Sequence, residues 1–447
     1  MANKLTKQEK FLRICKDGNP EKVKKALDEG ASVDASAKIY GVTSIPLFIA
    51  YRTENYEVGK ILIERGADYF KCFMLAVTNN DIYFAEFLIK CGADINFIDK
   101  KWGSILSWAI VANATYAVKW LIELGADVNK KLAGGHSAFT YAFMNITDNP
   151  EGLDPEIIKI LMNSGADYRD AMILALENNV LNFIKFLIKY GADVNVKLIE
   201  NQSPLSVAMM CLKRGTKIDV LKFLLKNGAD ANEIIKFDDG AITNNLNISI
   251  SINRPDVAKI LLQYGANPNF RDHNGRTALF FAVLTGNKIL RTLLTNGADP
   301  DIQDYEGRTP LMLAAIDGES EDGVIDSLIK FGADLNIQDR NGMTVLMWAI
   351  IARDKSTNYM TSALIRTGGF MSKGGITCLA VAFLYAATKR ELQLEIIKRL
   401  IDSGADLSIK DKKGMNALMH AMASSDDDIV KILLDAGAMT EMQQKTY

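Results

Sequence analysis

Cysteine, histidine and proline are scarce in this 447-residue chain, with five, three and nine copies. The cysteines (Cys15, Cys72, Cys91, Cys211 and Cys378) are odd in number, far apart and without a Cys-x-x-Cys pair. That excludes a disulfide framework and fits a reducing compartment, so a cytoplasmic location is expected, with the thiols as small core residues. His136, His273 and His420 match no zinc spacing, and no metal or cofactor is expected. So few prolines exclude a proline-rich stalk. No apolar run approaches the roughly 18–20 residues of a membrane span, and the charged start MANKLTKQEKFLRICKDG has no signal-peptide core. Neither sign of charge is in excess: 52 basic residues face 54 acidic ones. Dedicated nucleic-acid and membrane-surface binders carry a basic surplus, so neither kind of partner is expected.

What the chain does have is a repeat. Gly-Ala-Asp starts at Gly66, Gly92, Gly125, Gly165, Gly191, Gly228, Gly297, Gly332 and Gly404, with variants at Gly30, Gly265 and Gly437 and a degenerate copy at Gly368. The mean step from Gly30 to Gly437 is about 34 residues. Length alone would suggest two to four globular domains, but a period in this range marks a stacked array. The expectation is one array over 1–447, capped by 1–30 and 405–447, whose terminal units need a polar outer face.

The segment before each Gly reads as a short amphipathic helix. In DIVKILLDAG, Ile429, Val430, Leu433 and Leu434 fall on one face. Asn19-Pro20 and Asp154-Pro155 place a capping side chain before a Pro at the first helical position. The Gly ends the helix in the left-handed conformation, and the small Ala after it fits where units press together. A polar stretch with turn signals follows, as in NFRDHNGRTALFFAVLTGN, and then a second short helix. Each unit is thus a turn or hairpin, an inner helix, a tight turn and an outer helix.

These features resemble the ankyrin-repeat family. The matching residues are Asp304, Gly307-Arg308-Thr309-Pro310-Leu311, Ala314-Ala315 and Gly332-Ala333-Asp334. The resemblance covers essentially the whole chain, about thirteen units. It implies an all-α repeat solenoid of hairpins and antiparallel helix pairs, a curved elongated stack. The family's Thr-Pro-Leu-His is nowhere intact: Thr-Ala-Leu-Phe stands at 277–280 and Thr-Val-Leu-Met at 344–347.

The period is uneven. The steps Gly66 to Gly92 and Gly165 to Gly191 are 26 residues, against 33 for Gly92 to Gly125. Both short units lack the Asp-x-x-Gly tip, so two hairpin fingers are expected to be absent, leaving notches that a partner could use. The 40-residue step from Gly125 to Gly165 carries extra length around 147–152.

Patterns for catalysis are missing. The run 369–376 begins like a phosphate loop but lacks the Lys-Ser/Thr that reaches phosphate and magnesium. Asp299, Asp301 and Gln303 imitate a calcium loop, but Asp304 stands where Gly is required. No catalytic residue is expected. The resemblance instead implies a partner side lined by finger tips and inner helices. Carried over by position, the partner-binding residues are Lys101, Trp102, His273, Arg276, Tyr305, Arg308, Arg340, Met343, Lys412 and Lys413 on the tips. Trp108 (with Val111 and Ala112) and Trp348 (with Ile351 and Ala352) stand on inner helices. Trp and Tyr flanked by Arg have the composition of binding hot spots. Trp120, in an outer helix, reads as core. The tips are mildly basic, so an acidic protein surface is the easiest match. The expected function is a non-catalytic scaffold or inhibitor of another protein, monomeric alone. A pathogen or phage effector acting in a host cytoplasm, and a nucleic-acid or small-ligand binder, stand as alternatives.

Overall fold

The structure, a computed structural model, describes residues 6–39, 42–131, 135–148, 153–214, 218–237, 239–284, 289–317, 323–351 and 390–438. The degenerate copy at Gly368, the run 369–376, Cys378, Ala352 and the insertion at 149–152 lie outside them. The chain divides into two compact units, 1–220 and 221–447.

Unit 1 contains α1 (Lys7–Asp17), α2 (Pro20–Asp28), α3 (Pro46–Arg52), α4 (Tyr56–Glu64), α5 (Tyr69–Thr78), α6 (Ile82–Lys90), α7 (Ile105–Val111), α8 (Thr115–Glu123), α9 (Ala138–Asp148), α10 (Pro155–Asn163), α11 (Arg169–Glu177), α12 (Leu181–Lys189) and α13 (Pro204–Met210). Two antiparallel hairpins join them: β1 (Ala37–Ile39) with β2 (Val42–Ser44), and β3 (Ile98–Asp99) with β4 (Gly103–Ser104). The division between units falls within α14 (Ile218–Lys226). Unit 2 continues with the hairpin β5 (Ile234–Lys236) and β6 (Ile242–Asn244), α15 (Asn245–Ser251), α16 (Pro255–Gln263), α17 (Ala278–Leu284), α18 (Leu290–Thr295), α19 (Pro310–Asp317) and α20 (Val324–Lys330). Helical residues 345–351 (α21) and 390–402 (α22), then α23 (Ala417–Ala423) and α24 (Asp427–Asp435), complete it.

Local chemistry sets the helix ends. Asn19 Oδ1 accepts from Lys22 N at 3.1 Å, Asp154 Oδ1 accepts from Glu156 N at 3.0 Å, and each is followed by Pro at the first helical position. At the far end Gly66 has φ +84°, Gly66 N donates to Ile63 O at 3.0 Å and Ala67 N to Leu62 O at 2.9 Å. That paired closure satisfies two carbonyls the helix would otherwise strand. Ala67 is buried, as are Ala93, Ala126, Ala166 and Ala192. Inner helices α5, α7 and α11 of unit 1 close differently, on Asn80, Asn113 and Asn179 with positive φ. Asparagine is one of the few side chains that tolerates this.

Within each unit, inner helices pack on inner helices (α5 on α7, α7 on α9; α15 on α17, α17 on α19) and each also contacts its own outer helix. Leu62, Leu88, Leu121 and Phe183 are fully buried on outer helices. Burial of each such side chain contributes roughly 1.5–3 kcal/mol. In α24 only Ile429 and Leu433 of the expected four reach the core; Val430 is half-buried and Leu434 is 46% exposed.

Asparagine side chains staple neighbouring repeats. In unit 1, Asn96 Nδ2 donates to Gly125 O at 3.3 Å while Oδ1 accepts from Asp127 N at 2.8 Å; Asn129 does the same to Gly165 and Asp167. In unit 2, Asn232 and Asn269 repeat the arrangement.

The two short repeats lack fingers, as their spacing implies. Asp68 caps α5 directly, and α11 starts right after Tyr168. With no finger there is no asparagine at the staple position, and in the second short repeat a tyrosine takes over: Asp193 N donates to Tyr168 Oη at 3.0 Å.

Candidate interaction face

In unit 1, the finger β3–β4 carries Lys100, Lys101 and Trp102 at its turn. Asp99 Oδ1 accepts from both Lys101 N and Trp102 N at 2.8 Å and fixes that turn. Trp102 is 38% exposed, and its ring meets Trp108 edge-on, with centroids 5.7 Å apart and planes at 85°. Lys101 Nζ lies 4.5 Å from the Trp102 ring centroid, within reach of a cation–π contact. The Trp108 indole Nε1 donates to Thr78 Oγ1 at 3.1 Å, on the helix of the finger-less repeat. The aromatic pair therefore leans over the side where a finger is missing. Leu75 and Val111 are exposed beside it, at 59% and 43%.

Leu75 and Thr78 escaped the sequence reading, because α5 reads as a core helix. A signal was available: Leu75 and Trp108 each stand five residues before a left-handed Asn, Asn80 and Asn113, and so take the same place in successive helices. Trp120 is half-buried rather than core.

In unit 2, the fingers are tied edge to edge. Tyr305 N donates to Asn274 O at 2.9 Å, Arg340 N to Glu306 O at 3.0 Å and Lys412 N to Asn341 O at 3.0 Å. His273 N reaches Ile242 O at 3.2 Å. His273, Tyr305, Arg340, Lys412 and Lys413 are exposed. The Arg271 guanidinium lies 5.3 Å from the Tyr305 ring centroid. Each tip is organised by a buried aspartate: Asp272, Asp304, Asp339 and Asp411 accept two backbone N–H bonds apiece through Oδ1.

Three residues expected at the partner surface have internal tasks. Arg308 is half-buried and donates from Nε and Nη2 to Asp304 Oδ2 at 3.0 and 2.7 Å. Trp348 is half-buried and donates from Nε1 to Asp339 Oδ2 at 3.0 Å. Met343 is a correction. Its backbone N–H is drawn to Asp339 Oδ1 and its side chain is only 6% exposed, so it is a core residue and not a tip contact. Arg276 is half-buried, with Nε 3.9 Å from Asp304 Oδ2.

Among the described residues, no group of three or more His, Cys, Asp or Glu side chains comes together to hold a metal. Cys15, Cys72 and Cys91 are buried, and burial pushes their thiols up to about 12, about 12 and about 11, so they are inert at neutral pH. Among the described residues, no helix is long and apolar enough to cross a membrane.

The family model for ankyrin repeats (3 copies) matches residues 73–169, 150–235, 246–324, 292–370 and 383–446, most of the chain. The chain belongs to the ankyrin-repeat family. Among solved structures, its repeats are similar to the ankyrin repeat domain of Bcl-3, described as a unique member of the IkappaB protein family. That likeness is at 21% identity and a TM-score of 0.43, covering 59% of this chain and 97% of that one. No curated protein matches the sequence. Ankyrin repeats of this kind are interaction modules, and the finger-less repeats are this chain's local departures from the pattern.

Proposed function

We propose that the protein is a non-catalytic binder of another protein, and that the inner-helix face around Trp102 and Trp108 carries the contact. The observation behind this is an open apolar patch: two tryptophans in edge contact, with Leu75 and Val111 exposed beside them. Exposed aromatics beside a cation are the composition of interface hot spots, where burial on a partner is worth most. A preformed face also spares much of the ordering cost of association. Masking or scaffolding follows from such a surface without chemistry.

The test is affinity capture from a lysate of the cells the protein comes from, using wild type and Trp102→Ala/Trp108→Ala. At least one protein should be held by wild type and lost by the variant. Identical capture by both would remove this face from the binding surface.

A further inference from the structure

The edge-to-edge bonds of unit 2 follow one rule. The residue after the tip aspartate donates its N–H to the finger before it: Tyr305 after Asp304, Arg340 after Asp339, Lys412 after Asp411. In unit 1 the residue at this place is Lys100, after Asp99. The repeat before it runs from Asp68 straight into α5 and presents no finger. Among the described residues nothing accepts from Lys100 N–H, whereas Lys101 N and Trp102 N are both held by Asp99. One rung of a backbone ladder thus points to where the sequence omits a strand-like segment.

The same place has an apolar floor and charges of both signs at its edge, Lys100 and Lys101 on the finger and the Asp68–Lys71 pair at the start of α5. Trp102 and Leu75 are exposed there, Trp108 is half-buried between them and the helix, and Thr78 accepts from the Trp108 indole. Trp102 stands three residues after its tip aspartate, where Gly275, Gly307 and Gly342 stand in unit 2. At those glycines an added Cβ would come within 2.9, 2.7 and 2.9 Å of the next finger's backbone N. Those glycines face the following finger; in the β3–β4 turn the same sequence place holds Trp102, which is 38% exposed and has no positive φ. Lys100 and Lys101 form no ion pair with any described residue, and the one acid in this turn, Asp99, directs Oδ1 inward to the backbone.

We propose that an extended, acidic peptide segment of a partner protein docks in the place of the missing finger. A backbone carbonyl of the segment accepts from Lys100 N–H. An aromatic or aliphatic side chain lies on Trp102, Trp108 and Leu75, and neighbouring carboxylates meet Lys100 and Lys101. An added extended chain supplies affinity through its backbone and specificity through alternate side chains. Two unpaired lysines suit a short acidic segment and are too few for the many phosphate contacts of nucleic acid. The inference rests on the proposed inner-face binding and names its occupant.

The probe is a library of random twelve-residue peptides displayed on phage and selected on the full-length protein. Enriched peptides should carry two or more Asp or Glu around an aromatic residue or Leu. They should bind at least tenfold more weakly to Trp102→Ala, and also to a variant with the finger tip 303–309 grafted after Asp68. Lys100→Pro removes the backbone donor as well as the charge, and proline is tolerated early in a turn. It should weaken binding about tenfold beyond Lys100→Ala, which keeps the N–H. Circular dichroism melts of all variants establish that they fold; if the graft does not, Trp102→Ala and the Lys100 pair decide. No enriched peptide, enriched basic peptides, equal binding to Lys100→Pro and Lys100→Ala, or tighter binding of a single-stranded oligonucleotide would each overturn the proposal. Proteins captured from lysate in a Trp102-dependent way would still stand in those cases, so the broader reading fails separately.

Discussion

Trp348 and Asp339 are joined by a 3.0 Å hydrogen bond from the indole Nε1 to the buried carboxylate Oδ2. His420 and Asp411 repeat that relationship at the same spacing of nine residues, Nε2 to Oδ2 at 3.0 Å. In the repeat of Asp304, position nine is Leu313, and the partner is Arg308 at position four. Position four of the other two repeats is Met343 or Met415. Asp304, Asp339 and Asp411 thus each pair either with a cation four residues on or with a ring donor nine residues on. Without either, the buried carboxylate would keep its two backbone donors on Oδ1 but leave Oδ2 unpaired, at a cost.

This alternation predicts a rescue. Trp348→Leu should destabilise unit 2 by about 1–3 kcal/mol, because Asp339 keeps its charge and loses its donor. Adding Met343→Arg to that variant copies the Asp304 arrangement and should restore at least half of the loss. Urea midpoints of the three proteins check it; a double variant less stable than the single one would refute the exchange.

Close finger stacking predicts a contrast between two glycines. Gly297 and Gly307 both have positive φ, at +83° and +78°. An added Cβ at Gly297 meets nothing within 4 Å, while at Gly307 it comes within 2.7 Å of Arg340 N. Gly297→Ala should lose about 1–2 kcal/mol to left-handed backbone strain alone. Gly307→Ala should lose a further 1–3 kcal/mol or so, from crowding in a packed contact. Equal losses in thermal melts would mean that the fingers separate easily.

The period, the glycine closures and the Asn19 and Asp154 caps were legible because they are local: each depends on a few adjacent residues. The absent fingers were legible from spacing. The pairings of Arg308 and Trp348 were not, since nothing in the chain distinguishes an exposed arginine from one that turns back onto a buried aspartate. Met343 and Lys413 both occupy tips, yet one points inward. Leu75 was hidden for the opposite reason: an apolar residue in a short apolar helix reads as core until the neighbouring finger is known to be missing.

The tyrosine of the second finger-less repeat gives a third prediction. Tyr168→Phe keeps the ring, which meets Phe139 edge-on at 6.4 Å, but removes the hydroxyl that accepts from Asp193 N. Amide exchange at Asp193 should accelerate, and stability should fall by about 0.5–1.5 kcal/mol, the usual net value of one hydrogen bond. The same change at Tyr190, outside this bond, serves as the control. An unchanged exchange rate at Asp193 would show that the staple position needs no acceptor.

Asp411 makes the finger of the last described repeat sensitive to acid. Burial alone would raise its carboxyl, but the backbone N–H groups of Met415 and Lys413, and then His420, outweigh that and hold it below its ordinary 3.8. A carboxyl lowered in the folded state stabilises above the unfolded value and loses that contribution as pH falls through the folded one. The Asp411 contribution is therefore complete at pH 5–7 and fades below about 4. Asp411→Asn keeps an oxygen for the backbone donors but removes the charge opposite His420. Wild type should exceed it by about 1–3 kcal/mol at pH 7, and the gap should close towards pH 3. Comparing urea midpoints of the pair at each pH cancels the titration of every other carboxylate. A gap that stays constant from pH 7 to pH 3 would show that the Asp411 charge contributes nothing to holding the finger.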